Sequence, residues 1–452
     1  MEDQTIIAQC TPRGSGALAL LRISGSYALE IATSISQLLS KQKITDVATH
    51  TIHAGYVIDE NNDPIDQVMF LVMHGPRTFT GENTVEITTH NNPFIIEAII
   101  QQALTHGARI AQEGEFCKRA MLNGKIDLIQ AESINELIHA NTQMALKQSM
   151  AQVKGSFSQW IASIERDLIK AMALCQASFE FIEEENMTFS DEIRSIIQNT
   201  IDTIAQLKTT FNQQQRIRNG IRIAIIGSVN AGKSSLFNAL LQQNRSIVTN
   251  IAGTTRDVIE AGLYKDQNYW TLIDTAGLRQ TDDIIEKEGI ERSLHEAELA
   301  DIILLVIDAS RPMHADEHSI YNKIATEYPD KIIIIYNKSD LERKAELALS
   351  GLSISTKSRS DNILIEHAIQ SKITALFNNI SSPFLLNKRH YNLLITLEME
   401  CHKILPLLTG NIAYELLSIH LQDAASHVSE LTGKTISEDA MDEVFRSFCV
   451  GK

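Results

Sequence analysis

The spacing of hydrophobic and polar residues divides the chain into regions of different texture. Up to about residue 120, short apolar runs such as 17–21 alternate with turn residues, which predicts a small α+β domain. From about 127 to 217, apolar residues recur every three or four positions, as at Ile161, Ile164 and Leu168. This spacing predicts amphipathic helices.

Between residues 220 and 375, strand-like apolar runs alternate with helical stretches, and this βαβ order predicts a parallel sheet. Helical spacing returns after Pro383. Because the ends of a compact domain often lie close together, we expect one discontinuous helical domain with an α/β domain inserted into it. The predicted fold class is multidomain α/β plus α, with an N-terminal α+β domain at 1–120, helical parts at 121–217 and 379–452, and the inserted domain at 218–378.

A phosphate-binding loop follows the first apolar run of the inserted domain. The run 223–226 leads into Gly227-Ser228-Val229-Asn230-Ala231-Gly232-Lys233-Ser234, a G-x-x-x-x-G-K-S pattern between a predicted strand and a predicted helix. In that context the backbone N–H groups enclose phosphate oxygens, while Lys233 reaches the β- and γ-phosphates and Ser234 ligates Mg²⁺. A chance glycine-rich turn is the alternative.

Three further segments follow in the order typical of guanine recognition. In Asp274-Thr275-Ala276-Gly277, the acid can hold Mg²⁺ through water and Gly277 can offer its N–H to the γ-phosphate. In Asn337-Lys338-Ser339-Asp340, the last carboxylate can accept two hydrogen bonds from guanine that adenine cannot donate. Ser355-Thr356-Lys357 resembles the weaker loop that closes over the base, so we predict GTP and not ATP as the nucleotide.

The interval 249–257 contains Gly253-Thr254-Thr255, which predicts a switch I loop with Thr255 as second Mg²⁺ ligand; a solvated polar loop is the alternative. Leu278 stands where many GTPases place a water-orienting glutamine, so hydrolysis needs different assistance. The side-chain oxygen of Asn230, with carbonyls of 249–254, could seat a monovalent cation such as potassium. The alternative is that Asn230 only forms the turn.

Composition narrows the class of protein. With 452 residues, 44% hydrophobic and 21% charged, the chain is typical of a soluble multidomain protein, and no apolar run reaches the length of a membrane span. No export signal is visible, so we expect a cytoplasmic protein. The net charge of −16 argues against extensive nucleic-acid contact, unless a local basic patch or a partner supplies it.

Taken together, these motifs resemble the TrmE-type GTPases. The resemblance extends over essentially the whole chain, because N-terminal and C-terminal segments match as well as the inserted domain. The matching segments are 21–25, 79–82, 114–120, 122–128, 230–236, 251–257, 274–279 and the ending Phe448-Cys449-Val450-Gly451-Lys452.

The resemblance implies a potassium-stimulated GTPase that forms a homodimer through its N-terminal domain. It implies a heterotetramer with the partner MnmG, which carries FAD, and transient binding of tRNA. Together the two proteins would add a carboxymethylaminomethyl or aminomethyl group at C5 of the wobble uridine, using 5-formyl- or methylene-tetrahydrofolate as one-carbon donor. GTP hydrolysis to GDP would drive a conformational change, and no membrane is involved.

The resemblance also assigns roles to single residues. Glu286 would position the attacking water, although without the family it reads as a solvated helix glutamate. Potassium would be held by Asn230, Thr249, Ile251 and Thr254, Mg²⁺ by Ser234 and Thr255, and folate by Arg22, Glu86, Lys125 and Lys452, each an ordinary surface charge by itself. The GTP-binding set is Asn230, Ala231, Gly232, Lys233, Ser234, Ser235, Thr249, Asn250, Ile251, Ala252, Gly253, Thr254, Thr255, Asp274, Thr275, Ala276, Gly277, Asn337, Lys338, Asp340, Ser355, Thr356 and Lys357.

Two segments depart from the family pattern. Ser228-Val229 stands where Arg-Pro is common, and we expect altered loop rigidity with activity retained. Asn91-Asn92 stands where two glycines are common, and asparagine tolerates positive φ less well, which puts the detail of the folate pocket in doubt.

Two other functions are compatible with the GTPase domain alone. A ribosome-assembly switch usually adds a KH domain or a second G domain, and neither pattern is visible. A membrane-remodelling GTPase with a helical stalk needs a basic amphipathic or apolar insertion segment, which the sequence lacks.

Overall fold

The computed structural model describes residues 4–180, 189–243, 259–265, 268–274, 294–345, 349–377, 383–410 and 412–451. The chain divides into two compact units. The first unit comprises Met1–Ile138, Met150–Ile204 and Asn392–Lys452, and the second unit comprises His139–Ser149 and Ala205–Tyr391. The second unit is thus inserted between stretches of the first, as the predicted fold class requires; the predicted domain boundaries stay a prediction.

Strands and helices follow the predicted textures. The strands are β1 Ile6–Gln9, β2 Leu18–Ser24, β3 Ser36–Leu38, β4 Thr51–Ile58, β5 Pro64–Met73, β6 Thr84–His90, β7 Arg109–Ile110, β8 Ile221–Ile226, β9 Ile259–Lys265, β10 Asn268–Asp274, β11 Ile302–Asp308, β12 Ile332–Asn337 and β13 Leu352–Ser353. The helices are α1 Ala28–Ser34, α2 Pro93–Thr105, α3 Glu115–Leu122, α4 Leu128–Ile138, α5 Gln143–Val153, α6 Ser156–Glu180, α7 Ser190–Thr209, α8 Phe211–Asn219, α9 Lys233–Gln243, α10 Ala315–Glu327, α11 Arg359–Phe377, α12 Lys388–Leu407, α13 Tyr414–Thr432 and α14 Glu438–Phe445.

The first unit contains a seven-stranded sheet in the order β3-β4-β5-β6-β2-β1-β7. Its pairs are antiparallel except for β1 with β7. Alternate residues of β2 and β5 point to opposite faces, so that Leu21 and Phe70 are buried in the core with residues of α1 and α2. The other face carries the residues between them, including Arg22, which is paired in register with Glu86.

A buried ion-pair network connects α3 to the rest of this domain. Arg119, only 6% exposed, donates to the carboxylates of Glu82 and Glu115 and to the backbone carbonyl of Gln4. Burial would raise the pKa of Glu115, but hydrogen bonds from Arg109, the Gln112 N–H and Arg119 outweigh it and hold that pKa below its usual value. Buried charges are tolerated when they are paired and hydrogen-bonded in this way.

The helices of the first unit pack through the apolar stripes that the sequence spacing predicts. Helix α6 buries Ile161 and Leu168, and α13, which packs against α6, buries Leu421 and Val428. The predicted helical regions before and after the inserted unit are therefore helical in the structure. No helix in the described ranges is long and apolar enough to cross a membrane.

The C-terminal residues return to the first strands of the same unit. Val450 forms an antiparallel bridge with Glu113, and the carbonyl of Gly451 accepts hydrogen bonds from Arg22 (3.3 Å) and from the thiol of Cys10 (3.4 Å). Upstream, Phe445 of α14 lies directly against Gly114. Phe445, Val450 and Gly451 thus contact the N-terminal part of the first unit.

The second unit contains a six-stranded sheet in the order β13-β12-β11-β8-β10-β9, in which only the β9–β10 pair is antiparallel. Every residue of β11 is buried, because helices cover both faces of the sheet. In this topology the carboxyl ends of β8, β10, β11 and β12 meet at one edge, where ligands of open α/β sheets bind.

We expect Gly114→Ala to destabilise the first unit. Gly114 has φ +65°, and a Cβ there would lie 2.8 Å from the backbone oxygen of Phe445. Gly124 is the matched control, because its φ is +66° and no atom lies within 4 Å of the added Cβ. Left-handed strain costs both variants about 1 kcal/mol, and only Gly114→Ala adds the clash. Thermal unfolding should show a clearly larger loss for Gly114→Ala; equal losses would contradict the contact.

Candidate nucleotide-binding site

The phosphate-binding loop lies between β8 and α9, and its glycines are required by close backbone contacts. A Cβ on Gly227 would lie 2.2 Å from the Val306 carbonyl oxygen, and one on Gly232 would lie 2.1 Å from the amide nitrogen of Asn337. Asn230 takes the left-handed conformation with φ +61°. Asparagine adopts this conformation more readily than most residues, so the local sequence suits the turn.

Lys233 is buried inside this loop at the first residue of α9. Its ammonium donates to the carbonyl oxygens of Gly227 and Ser228, at 2.8 Å each. Burial lowers the pKa of Lys233, and the charge of Asp274 opposes that shift. The loop thus holds the Lys233 ammonium beside the N-terminus of α9, where the helix dipole favours the binding of anions.

Ser234 and Asp274 place two oxygen ligands side by side. The Ser234 hydroxyl donates to the Asp274 carboxylate at 2.7 Å, and Asp274, the last residue of β10, is 1% exposed. Hydroxyl and carboxylate oxygens at one point are the donors that Mg²⁺ prefers. This donor set fits the predicted magnesium site, although the second predicted ligand, Thr255, lies outside the described residues.

Asn337 joins the phosphate side of the site to the base side. Its amide nitrogen donates to the Ala231 carbonyl at 2.8 Å, and its amide oxygen accepts from the Thr356 N–H at 3.2 Å. The side chain is buried, with 1% of Asn337 exposed. The loop 355–357 is therefore held to the phosphate-binding loop through a single residue.

Lys338 and Asp340 follow Asn337 in the loop after β12. Lys338, with φ +65°, forms an ion pair with Asp308, the last residue of β11. Burial would raise the pKa of Asp308, but hydrogen bonds from Lys338 and Ser310 lower it. Hydrogen bonding to Ser355 holds the pKa of Asp340 below its usual value, and Lys357 lies 3.4 Å from that carboxylate.

Asp308 was missed by the sequence analysis. The signal that could have found it is an acid at the end of a fully apolar strand, the same signal that marked Asp274. Its contact with Lys338 shows that the lysine of the Asn-Lys-Ser-Asp motif is held from a neighbouring strand.

The described residues of the predicted GTP-binding set lie at the carboxyl edge of the sheet, at the last residues of β10 and β12 and in the loops and the helix start that follow β8, β12 and β13. The rest of the predicted set lies outside the described residues, as do Glu286 and Lys452. The members at this edge are Asn230, Ala231, Gly232, Lys233, Ser234, Ser235, Asp274, Asn337, Lys338, Asp340, Ser355, Thr356 and Lys357, and those outside are Thr249, Asn250, Ile251, Ala252, Gly253, Thr254, Thr255, Thr275, Ala276 and Gly277.

Among the residues predicted to bind folate, Arg22 and Glu86 meet across β2 and β6. The Arg22 Nε donates to Glu86 at 2.8 Å, and the two side chains are 17% and 16% exposed. The guanidinium also lies 5.5 Å from the centre of the Phe116 ring. Lys125 lies against Gly81, where an added Cβ would be 3.1 Å from its Cε, and contacts the Pro76 carbonyl.

The departure at Asn91-Asn92 has a local explanation. Asn92 has φ −115° and caps α2 by accepting a hydrogen bond from the Phe94 N–H at 2.9 Å. The Asn91 amide donates to the Gly14 carbonyl at 2.8 Å, and neither asparagine has positive φ. The backbone strain that glycine would relieve is therefore absent at both residues, and Asn92 stabilises the start of the helix.

The fold and the site define a P-loop GTPase, which hydrolyses GTP. Residues 5–125 match the family model described as the GTP-binding protein TrmE N-terminus, and residues 128–449 match the MnmE helical domain. The chain is 37% identical over 464 residues to the "tRNA modification GTPase MnmE" of Lachnoclostridium phytofermentans, and 36% identical over 455 residues to that of Chlamydia trachomatis serovar L2, covering 100% of each chain. The chain belongs to the MnmE (TrmE) family, which confirms the resemblance.

We expect Asn337→Ala to weaken GDP binding at least tenfold, because two buried backbone groups lose their partner at about 1–3 kcal/mol each. A titration with a fluorescent GDP analogue measures the dissociation constant. Asn322→Ala is the control, since it removes an amide bonded to His318 on α10. An unchanged dissociation constant for Asn337→Ala would show that nucleotide binding does not depend on the hydrogen bonds from Asn337 to the phosphate-binding loop and to the loop 355–357.

Proposed function

We propose that this chain is a potassium-stimulated GTPase that acts with the FAD-dependent partner MnmG in tRNA modification. The two proteins would add a carboxymethylaminomethyl or aminomethyl group at C5 of the wobble uridine of certain tRNAs. The observation that carries the proposal is the match to relatives named tRNA modification GTPase MnmE over 100% of both chains. The likeness therefore includes the N-terminal and helical domains as well as the GTPase.

In the GTPase reaction, Lys233 would bind the β- and γ-phosphates, and Asp340 would accept from the guanine edge. Ser234 and Asp274 would hold Mg²⁺, which when bound neutralises charge on the transferring phosphate. The burial of Lys233 and Asp274 at the carboxyl edge of the sheet supports these roles, because charged groups act more strongly where water is excluded. Glu286 would position the water in the family's manner, since Leu278 cannot.

Potassium binding is supported by the conformation of Asn230. The left-handed backbone places this exposed residue at the turn of the phosphate-binding loop, where its amide oxygen is available to a cation beside the phosphates. Thr249, Ile251 and Thr254 would complete the site with oxygen ligands. A potassium ion there would supply the positive charge that an arginine finger supplies in other GTPases.

Folate binding is supported by the pair of Arg22 and Glu86. A carboxylate can accept hydrogen bonds from the amide-like edge of a pterin, and cations can pair with the glutamyl tail. Arg22 also donates to the carbonyl of Gly451, a residue of the family's terminal motif that directly precedes Lys452. This donor set fits a tetrahydrofolate that carries the one-carbon unit.

A homodimer through the N-terminal domain is supported by the sheet face opposite the core. Leu18, Ile52 and Met69 on that face are 58%, 63% and 45% exposed. Clustered exposed apolar residues favour an interface with another protein. Because phosphate contacts need positive charge, the net charge of −16 favours a complex in which the partner makes most of the contacts with the tRNA. We place this complex in the cytoplasm.

Deleting the gene in its own organism should remove the modified wobble uridine from tRNA digests, and a plasmid copy should restore it. Mass spectrometry of the nucleosides measures both results. Complementation with Asn238→Ala, an exposed change on α9, controls for expression of a variant. A nucleoside profile unchanged by the deletion would refute the proposed function while leaving the GTPase class intact.

GTP turnover should be faster in K⁺ than in Na⁺ at equal ionic strength, on the order of tenfold, because a cation beside the phosphates stabilises the charge that develops there. Asn230→Ala should abolish the difference, and Asn238→Ala should retain it. Phosphate release in the two salts measures the effect. Equal rates in both salts for the unchanged chain would leave Asn230 as a turn former.

A further inference from the structure

Side chains from outside the phosphate-binding loop contact Ser228, which lies in one of the two segments where this chain departs from the family pattern. The Ser228 N–H donates to the phenol oxygen of Tyr321 at 2.8 Å, and the Ser228 hydroxyl accepts from Arg311 at 3.1 Å. The Ser228 carbonyl accepts from Lys233 at 2.8 Å. Every polar group of Ser228 is thus engaged, and its contacts connect Lys233 to Arg311 and Tyr321.

The two outer contacts come from a rigid part of the second unit. Tyr321 lies on α10 and is 4% exposed, while Arg311 lies in the loop just before this helix. Arg311 forms an ion pair with Glu317, whose carboxylate also accepts from the His314 N–H at the start of α10. The ion pair with Glu317 therefore fixes the Arg311 guanidinium at the start of α10, and from there Arg311 contacts the phosphate-binding loop.

We propose that Arg311 and Tyr321 are positioning residues for Lys233, and that they act through Ser228. The proposal rests on the GTP site and on no step of tRNA modification. A shift of Ser228 moves the carbonyl that Lys233 contacts, so the two residues set where the ammonium stands when the phosphates bind. Arg-Pro is common at positions 228–229 in the family. Here, contacts from α10 and from the loop before it hold the phosphate-binding loop in place.

Arg311 has a structural role at the start of α10, so a single substitution cannot assign its function. A double-mutant cycle with Ser228→Ala separates the two roles, because it removes the hydroxyl that contacts Arg311 and Glu317 and keeps the Arg311–Glu317 ion pair at the start of α10. Arg311→Ala should speed dissociation of a fluorescent GDP analogue about fivefold, the effect of one lost hydrogen bond. In the Ser228→Ala background, Arg311→Ala should change that rate less than twofold.

Tyr321→Phe tests the second contact while keeping the ring in place. GDP dissociation should again be about fivefold faster, since the Ser228 N–H loses its buried acceptor. Tyr328→Phe is the control, because that hydroxyl lies at the far end of α10, where the ring faces Lys331. In steady-state turnover, KM for GTP should rise in Tyr321→Phe with a smaller change in kcat.

Two results would overturn the proposal. One is that Arg311→Ala changes the dissociation rate by the same factor with and without the Ser228 hydroxyl. The other is that both variants lower the melting temperature while GDP dissociation stays at the rate of the unchanged chain, which is the signature of a structural role alone. Both measurements use the full chain without partner or tRNA, so they stand apart from the test of the proposed function.

Discussion

The buried amide of Asn337 sets the geometry of the nucleotide site. It holds the Ala231 carbonyl on one side and the Thr356 N–H on the other, and it lies so close to Gly232 that no side chain fits there. Because a buried polar group is costly without its partners, the separation between the phosphate-binding loop and the base-side loop cannot change cheaply. Asn337 therefore fixes the spacing between these two loops in the described part of the site.

Other side chains brace this arrangement from the neighbouring strands and from α10. Asp308 holds Lys338 from β11, and Tyr321 with Arg311 holds Ser228. These contacts join loops that follow different strands, so the parallel sheet is what makes them possible.

Much of the fold follows from local patterns. The apolar run at β11 and the three- to four-residue spacing in α6 predict buried and amphipathic elements directly, and the structure has them there. The phosphate-binding loop is recognisable from the spacing of its glycines, lysine and serine between a strand and a helix, although the contacts that require Gly227 and Gly232 come from Val306 and Asn337. The sequence did not predict a role for Asp308, because that role depends on Lys338, thirty positions away, and on the pairing of β11 with β12. At Asn91-Asn92 neither residue has positive φ and Asn92 caps α2, while the effect of this departure on folate binding stays a prediction.

The sequence by itself determined the class of the protein and the order of its elements, because those depend on motif spacing and hydrophobic periodicity; the nucleotide-binding residues that it predicts stay a prediction. Only the tertiary structure decided which groups meet over long separations. Arg22 meets Glu86 through strand register, and Gly451 reaches Arg22 across 429 positions. Ser228 meets Tyr321 across 93 positions. Such contacts arise from packing and register, which no local pattern specifies.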